Sequence, residues 1–451
     1  MLDGALAFQL MLFACLSFSG AGAQKLLVII VEGLAGSQYH KFSHLPGFRT
    51  FQTNGVWSTL LYPEFPTLPI PNRQTLMTGL LPNVHGFIDE HIYNQQTGDV
   101  FSAFDLKTDY DKDIWWKYEP VYVTAQKSGA PSALFFFPEC GVRWYPSLSI
   151  CEAPDDFGLD DVSNVKRIIE ATRTHDLVMV NHVNIRKQIE RFGVQNIRYS
   201  KSKQMERFIE ALERLESQVR ERIDLNMIVV SPHGYIDVPE QNIRIFDRFV
   251  PMEMINVTIG AGAVKQVIPF PGKTHQIYSQ LRYISPIPNI KVYYTAKNIG
   301  DIPPWYFYRK SDVVADLVVI ATPGYAVYTE DEEKQIPRPS ETVRYTGLSG
   351  YNNEYPDVLG LFLAFGPLFR SGMRKGPANL VDIYELMCTI LRLDCPPSFG
   401  NVTNIDDIFD EDALIEMKTV YSDGHCGPIT SSYVHIYLPV FLLLRTGGLF
   451  M

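Results

Sequence analysis

The chain has 451 residues, of which 46% are apolar and 20% charged, with a formal net charge of −10. That profile excludes a disordered chain and fits a globular protein with a large core. The acidic balance and the lack of a clustered Lys/Arg tract exclude a nucleic-acid backbone as the main partner, because phosphate recognition needs such a cluster.

In chain order, an apolar run from Ala5 to Phe18 leads into the small residues Ser19 to Ala23, a cleavage pattern before Gln24. Residues 1–23 therefore read as a signal peptide for export, although Asp3 is the only charge ahead of the run. Lys25–Val31 is a continuous apolar run, as expected of a strand buried on both faces of a parallel sheet. Ser132–Phe137, Leu177–Val183, Met227–Val230, Leu317–Ala321 and Leu359–Ala364 repeat the pattern. Helical stripes alternate with them: Met205, Phe208, Ile209, Leu212, Leu215 and Val219 share one helix face, and Val381–Leu393 carries a second stripe. The alternation predicts an α/β fold, a mostly parallel central sheet with helices on both faces, in one domain over residues 24–410. The aromatic segments Trp115-Trp116 and Tyr306–Tyr308 read as core packing.

Five cysteines follow the leader. Cys140–Cys151 and Cys388–Cys395 are the local pairings and leave Cys426 free, with the connectivity open at this level. Asn256-Val257-Thr258 and Asn401-Val402-Thr403 are glycan acceptor sequences in an exported chain. Residues 411–451 form a tail. Its apolar run Tyr433–Leu444 is too short for a spanning helix, and the small residues before it resemble a GPI-attachment signal. A packed terminal element and a membrane attachment both stay open.

Ligands of open α/β sheets gather beyond the carboxyl ends of the strands. Polar residues stand there after three runs: Glu32-Gly33, Asn181 to Asn184, and Ser231-Pro232-His233-Gly234. These ends, the block Phe65-Pro66-Thr67-Leu68-Pro69-Ile70-Pro71-Asn72 and its sequel Thr75–Leu80 resemble the ectonucleotide pyrophosphatase/phosphodiesterase family, of alkaline-phosphatase-like fold. Pro82-Asn83-Val84-His85-Gly86, Asp301–Trp305, Ala364–Phe369 and Val381–Cys388 match later blocks in the family's order.

The resemblance implies two zinc ions, about 3.5–4 Å apart, that stabilise the attacking and leaving oxygens of an in-line displacement. It also locates the departures. Glu32 stands for the first Asp ligand, Pro69 for the nucleophilic Thr, and Pro232 for the Asp beside the surviving His233. Asn184, Gln188 and Ser349 stand for the Asp, His and His of the second zinc, while Thr67 is retained but does not attack. Asn72 matches a phosphate-contacting Asn and falls where a helix N-cap belongs, which suits a weak anion site. Covalent catalysis needs an activated nucleophile, and a prolyl ring has none.

The expectation is a catalytically impaired homologue, secreted or on the extracellular face of the plasma membrane, that acts by binding a protein or a small phosphate-bearing ligand. No cofactor is expected, or at most one zinc. The rival is an active hydrolase with a single zinc, held by Glu32, His182 and His233, since strand alternation would point His182 and Asn184 to one side.

Overall fold

Lys25–Val31 forms the central strand β1, with six of its seven residues buried. The computed structural model describes residues 24–103, 114–194, 203–296, 300–336 and 345–413. With β1, strands β2 (Val56–Tyr62), β3 (Ser132–Phe135), β4 (Ile150–Cys151), β5 (Leu177–His182), β6 (Leu225–Ser231) and the strand Gly360–Phe365 build a nine-stranded sheet. Two short strands beside β2, Met373–Arg374 and Ala378–Asn379, complete it. β6, β1, β5, β3 and β4 lie side by side and parallel. Gly360–Phe365 runs antiparallel between β6 and β2.

Helices cover both faces: α1 (Pro69–Thr78), α2 (Val162–Thr174), α3 (Asn184–Phe192), α4 (Lys203–Arg220) and α5 (Leu380–Leu391). Asp161 caps α2 by accepting the Ser163 N–H at 2.7 Å. α4 buries Met205, Phe208, Leu212, Leu215 and Val219 at helical spacing, in one core with Leu27, Ile29 and Val31. Residues that alternate with these on β1 point to the opposite face, where α5 packs on β1 and α1. The α/β architecture follows the sequence pattern.

Leu317–Ala321 departs from it. This run belongs to a separate four-stranded antiparallel sheet of β7 (Ile255–Ile259), β8 (Val264–Pro269), β9 (Ile290–Tyr294) and β10 (Leu317–Ala321), in the order β7-β8-β10-β9. Val318 and Ile320 pack with Phe65, Ile302 and Tyr308, while Leu317 and Val319 pack with Phe246 and Ile277. A strand buried on both faces has the same apolar signature in either sheet, so periodicity alone does not assign it. Trp115, Trp116, Tyr306 and Tyr308 are core residues, and Phe65 stacks on Tyr306 at 4.2 Å.

Disulfides join Cys140 to Cys151 and Cys388 to Cys395. The chain divides after Asp410 into two compact units. The leader-like residues 1–23, and the tail from 414 with Cys426 and its apolar run, lie outside the described residues. Among the described residues no helix is long and apolar enough to cross a membrane.

A titrating group sits on α4. Burial pushes the Glu216 carboxyl up to about 7, and its Oε1 has no partner among the described residues. The native state thus holds a proton that the unfolded chain releases above its ordinary carboxylate pKa. Stability from this group is complete below that pKa and is lost as pH rises through the raised one. Glu216→Gln is therefore expected to raise the melting temperature at about pH 8 and leave it nearly unchanged at about pH 4.5. Thermal melts at the two pH values check this.

Candidate functional site

Glu32, which is 1% exposed, directly follows β1. Each of its carboxylate oxygens takes one guanidinium: Arg73 Nη1 donates to Oε1 at 2.9 Å, and Arg186 Nη1 to Oε2 at 2.8 Å. Arg73 Nε also donates to Glu139 Oε1 at 2.9 Å, an oxygen that Gln74 Nε2 reaches at 2.8 Å. Arg186 Nε donates to Glu190 Oε1 at 2.9 Å, and its Nη2 stands 3.4 Å from Glu90 Oε1. Burial alone would raise the Glu32 carboxyl, but Arg186 and Arg73 outweigh it and hold the group below the ordinary carboxylate range. Gly33 makes the approach of α3 feasible. Its φ is +107°, and a Cβ there would lie 2.9 Å from Ile189 Cδ1 and 3.4 Å from Arg186 Cα.

Pro69, which the resemblance sets at the nucleophile position, is the first residue of α1, after Leu68 at the N-cap. A ring with fixed φ and no N–H suits that place. Thr67 donates its hydroxyl to Tyr351 O at 3.1 Å and accepts the Gly350 N–H at 3.0 Å, which ties this segment to the loop carrying Ser349. Asn72 does not cap the helix. It lies one turn inside α1, where its amide donates to the carbonyls of Glu64, Pro66 and Leu68 and its oxygen accepts the Glu64 N–H at 2.7 Å. The anion role expected of it gives way to this wholly backbone-directed bonding.

Asn184 opens α3 instead of continuing β5, which ends at His182. Its amide donates to Phe157 O at 3.0 Å and Asp160 Oδ2 at 2.9 Å. The strand-alternation argument linking it to His182 therefore fails. The His182 ring is fully buried and stacks on Phe208 of α4 at 4.9 Å, and burial pulls its pKa to about 3. His233 is also fully buried. Its Nδ1–H donates to Gly234 O at 3.1 Å, and burial holds its pKa near 4. Pro232 is buried beside it, and Gln188 is half-buried on α3.

Glu32, His182 and His233 do not converge, and no group of three His, Cys, Asp or Glu among the described residues could hold a metal. Zinc needs three or four deprotonated ligands about a common point. Here both oxygens of Glu32 are taken by guanidiniums, and the residues present do not fit the two-zinc centre.

An open cleft of about 740 Å³ lies before these groups. Pro69, Ser349, Arg186, Glu190 and Tyr235 line it on the side of the parallel strand ends, and Thr258, Ile259 and Gly260 on the side of the antiparallel sheet. Sequence reasoning missed Arg73, Arg186, Glu139 and Glu190. The available signal was Arg73 itself, the one charge in a helix whose residues are all buried.

A family model of type I phosphodiesterase / nucleotide pyrophosphatase matches residues 26–352, and the chain belongs to that family. It is similar to human ectonucleotide pyrophosphatase/phosphodiesterase family member 5, 23% identical over 397 residues, covering 85% of this chain and 78% of that protein. Human bis(5'-adenosyl)-triphosphatase ENPP4 is 24% identical over 393 residues, covering 83% and 80%. Among solved structures, inactive murine ENPP5 in complex with AMP superposes with a TM-score of 0.74 at 25% identity, covering 86% of this chain and all of that one.

Proposed function

We propose that this chain is a non-hydrolysing member of its family that acts by binding a ligand in the cleft. The observation that carries the reading is Pro69, a residue without a hydroxyl at the nucleophile position, on the wall of a cleft that is open and not filled by side chains. The replaced ligand positions support it: Asn184 is committed to Asp160 and the neighbouring backbone, and Pro232 and Ser349 carry neither carboxylate nor imidazole. Export through residues 1–23, with glycans at Asn256 and Asn401, belongs to the same reading. The tail beyond 410 is the candidate attachment to the cell surface.

The test is metal analysis of dialysed secreted protein, with hydrolysis of a p-nitrophenyl nucleotide ester and AMP calorimetry on the same sample. Background turnover with no stoichiometric zinc is expected. Two zinc ions together with turnover would sink the reading.

A further inference from the structure

The carboxylates at the strand ends still need a cation, whether or not the site is catalytic. A carboxylate as deeply buried as Glu32 destabilises the fold unless it is paired and hydrogen-bonded. In a two-zinc enzyme the metals meet that need. Here Glu139, Arg73, Glu32, Arg186 and Glu190 form an unbroken chain, each link 2.8–2.9 Å long. Glu90 attaches to Arg186 at 3.4 Å, and the Tyr235 hydroxyl donates to Glu190 at 3.2 Å.

The members come from separate parts of the fold. Glu32 follows β1, Arg73 lies in α1, Glu139 lies in the turn after β3, Arg186 and Glu190 lie in α3 after β5, and Tyr235 follows β6. Four adjacent parallel strands thus send their carboxyl-end segments into one ionic chain. Guanidinium suits this role because its planar fork binds two carboxylates at once through Nε and Nη, and both arginines use it so.

We infer that Arg73 and Arg186 have taken over the structural work of the two zinc ions, so that the strand ends of this protein are held together without metal. Two consequences separate this from mere loss of ligands. The fold is indifferent to chelation, and the guanidiniums block a metal even where the other ligands are restored, because they already occupy both oxygens of Glu32.

The inference rests on the assignment of Glu32, Asn184, Gln188, Pro232 and Ser349 to the former ligand positions. Its test uses the full-length secreted chain. Melting curves are recorded in EDTA and in added zinc. A variant carrying Asn184→Asp, Gln188→His, Pro232→Asp and Ser349→His is titrated with zinc by calorimetry, with and without Arg73→Ala and Arg186→Ala. Identical wild-type melts in both media are expected, with zinc uptake only in the variant that lacks both arginines.

A wild-type melt lowered by EDTA, or zinc uptake with the arginines in place, overturns the inference. Should the multiple variants not fold, Arg186→Met and Arg186→Lys decide it. Methionine is expected to lower the melting temperature by several degrees and lysine by less, and an unchanged melt for Arg186→Met counts against the inference. A metal-free protein with unchanged Arg186→Met melts would defeat this inference alone, whereas bound zinc with turnover would defeat the non-hydrolysing reading.

Discussion

Glu32→Gln is expected to cost about 1–3 kcal/mol of stability, the range for buried donors left without an acceptor. The amide keeps the shape of the side chain but offers one acceptor oxygen where two guanidiniums now dock. Its NH2 group must then face one of them. Arg73 retains Glu139, and Arg186 retains Glu190 and Glu90, so neither cation is left bare. What is lost is the link between the two halves of the chain, and with it the tie from β1 to α1 and α3. Denaturant titration measures the effect, and a shift of the midpoint with an unchanged slope identifies it as lost stability. An unaltered midpoint would mean that the buried pairs contribute nothing.

Lys265→Met is expected to cost about 3 kcal/mol, for a related reason at the opposite wall. Lys265 lies on β8 with a fully buried side chain, and its ammonium donates to both oxygens of Glu332 at 2.8 Å and to Gly260 O at 2.6 Å. Burial pulls the Lys265 pKa down, and Glu332 opposes that pull. Methionine keeps most of the apolar stem but leaves a carboxylate and a carbonyl without their donor. Gly260 and Glu332 both line the cleft, so ligand binding should weaken with stability. Chemical denaturation and calorimetry on one preparation separate the two effects. Full stability in the variant would show that water replaces the ammonium there.

Much of this was legible in the sequence because buried parallel strands are written as unbroken apolar runs and their polar ends fall at the ligand-binding edge. Glu32 and His233 were found that way, whereas Pro69 came from the resemblance of its block to the family. The antiparallel sheet was not, since Leu317–Ala321 has the composition of a central parallel strand. The turn from β5 into α3 was also missed: nothing in Asn181-His182-Val183-Asn184 marks Val183 as the residue that leaves the strand, in αR conformation. Arg186 was invisible for a different reason. Asking which metal ligands survive registers an arginine only as absence, although its charge is the property that matters. Long side chains that meet across 154 positions of sequence, as Glu32 and Arg186 do, carry no local signature.

The edge of the large sheet carries a condition of its own. β4 is two residues long and pairs with Ala133 and Leu134 of β3. Cys151, its last residue, is covalently bound to Cys140 in the turn that follows β3. A strand this short holds few ladder bonds, so the sulfur bridge keeps it in place. In a thiol-rich compartment that clasp opens, and β3 presents unpaired N–H and C=O groups on which strands of other chains can template. The covalent clasp on this sheet edge is therefore tied to oxidising surroundings, independently of any ligand or partner.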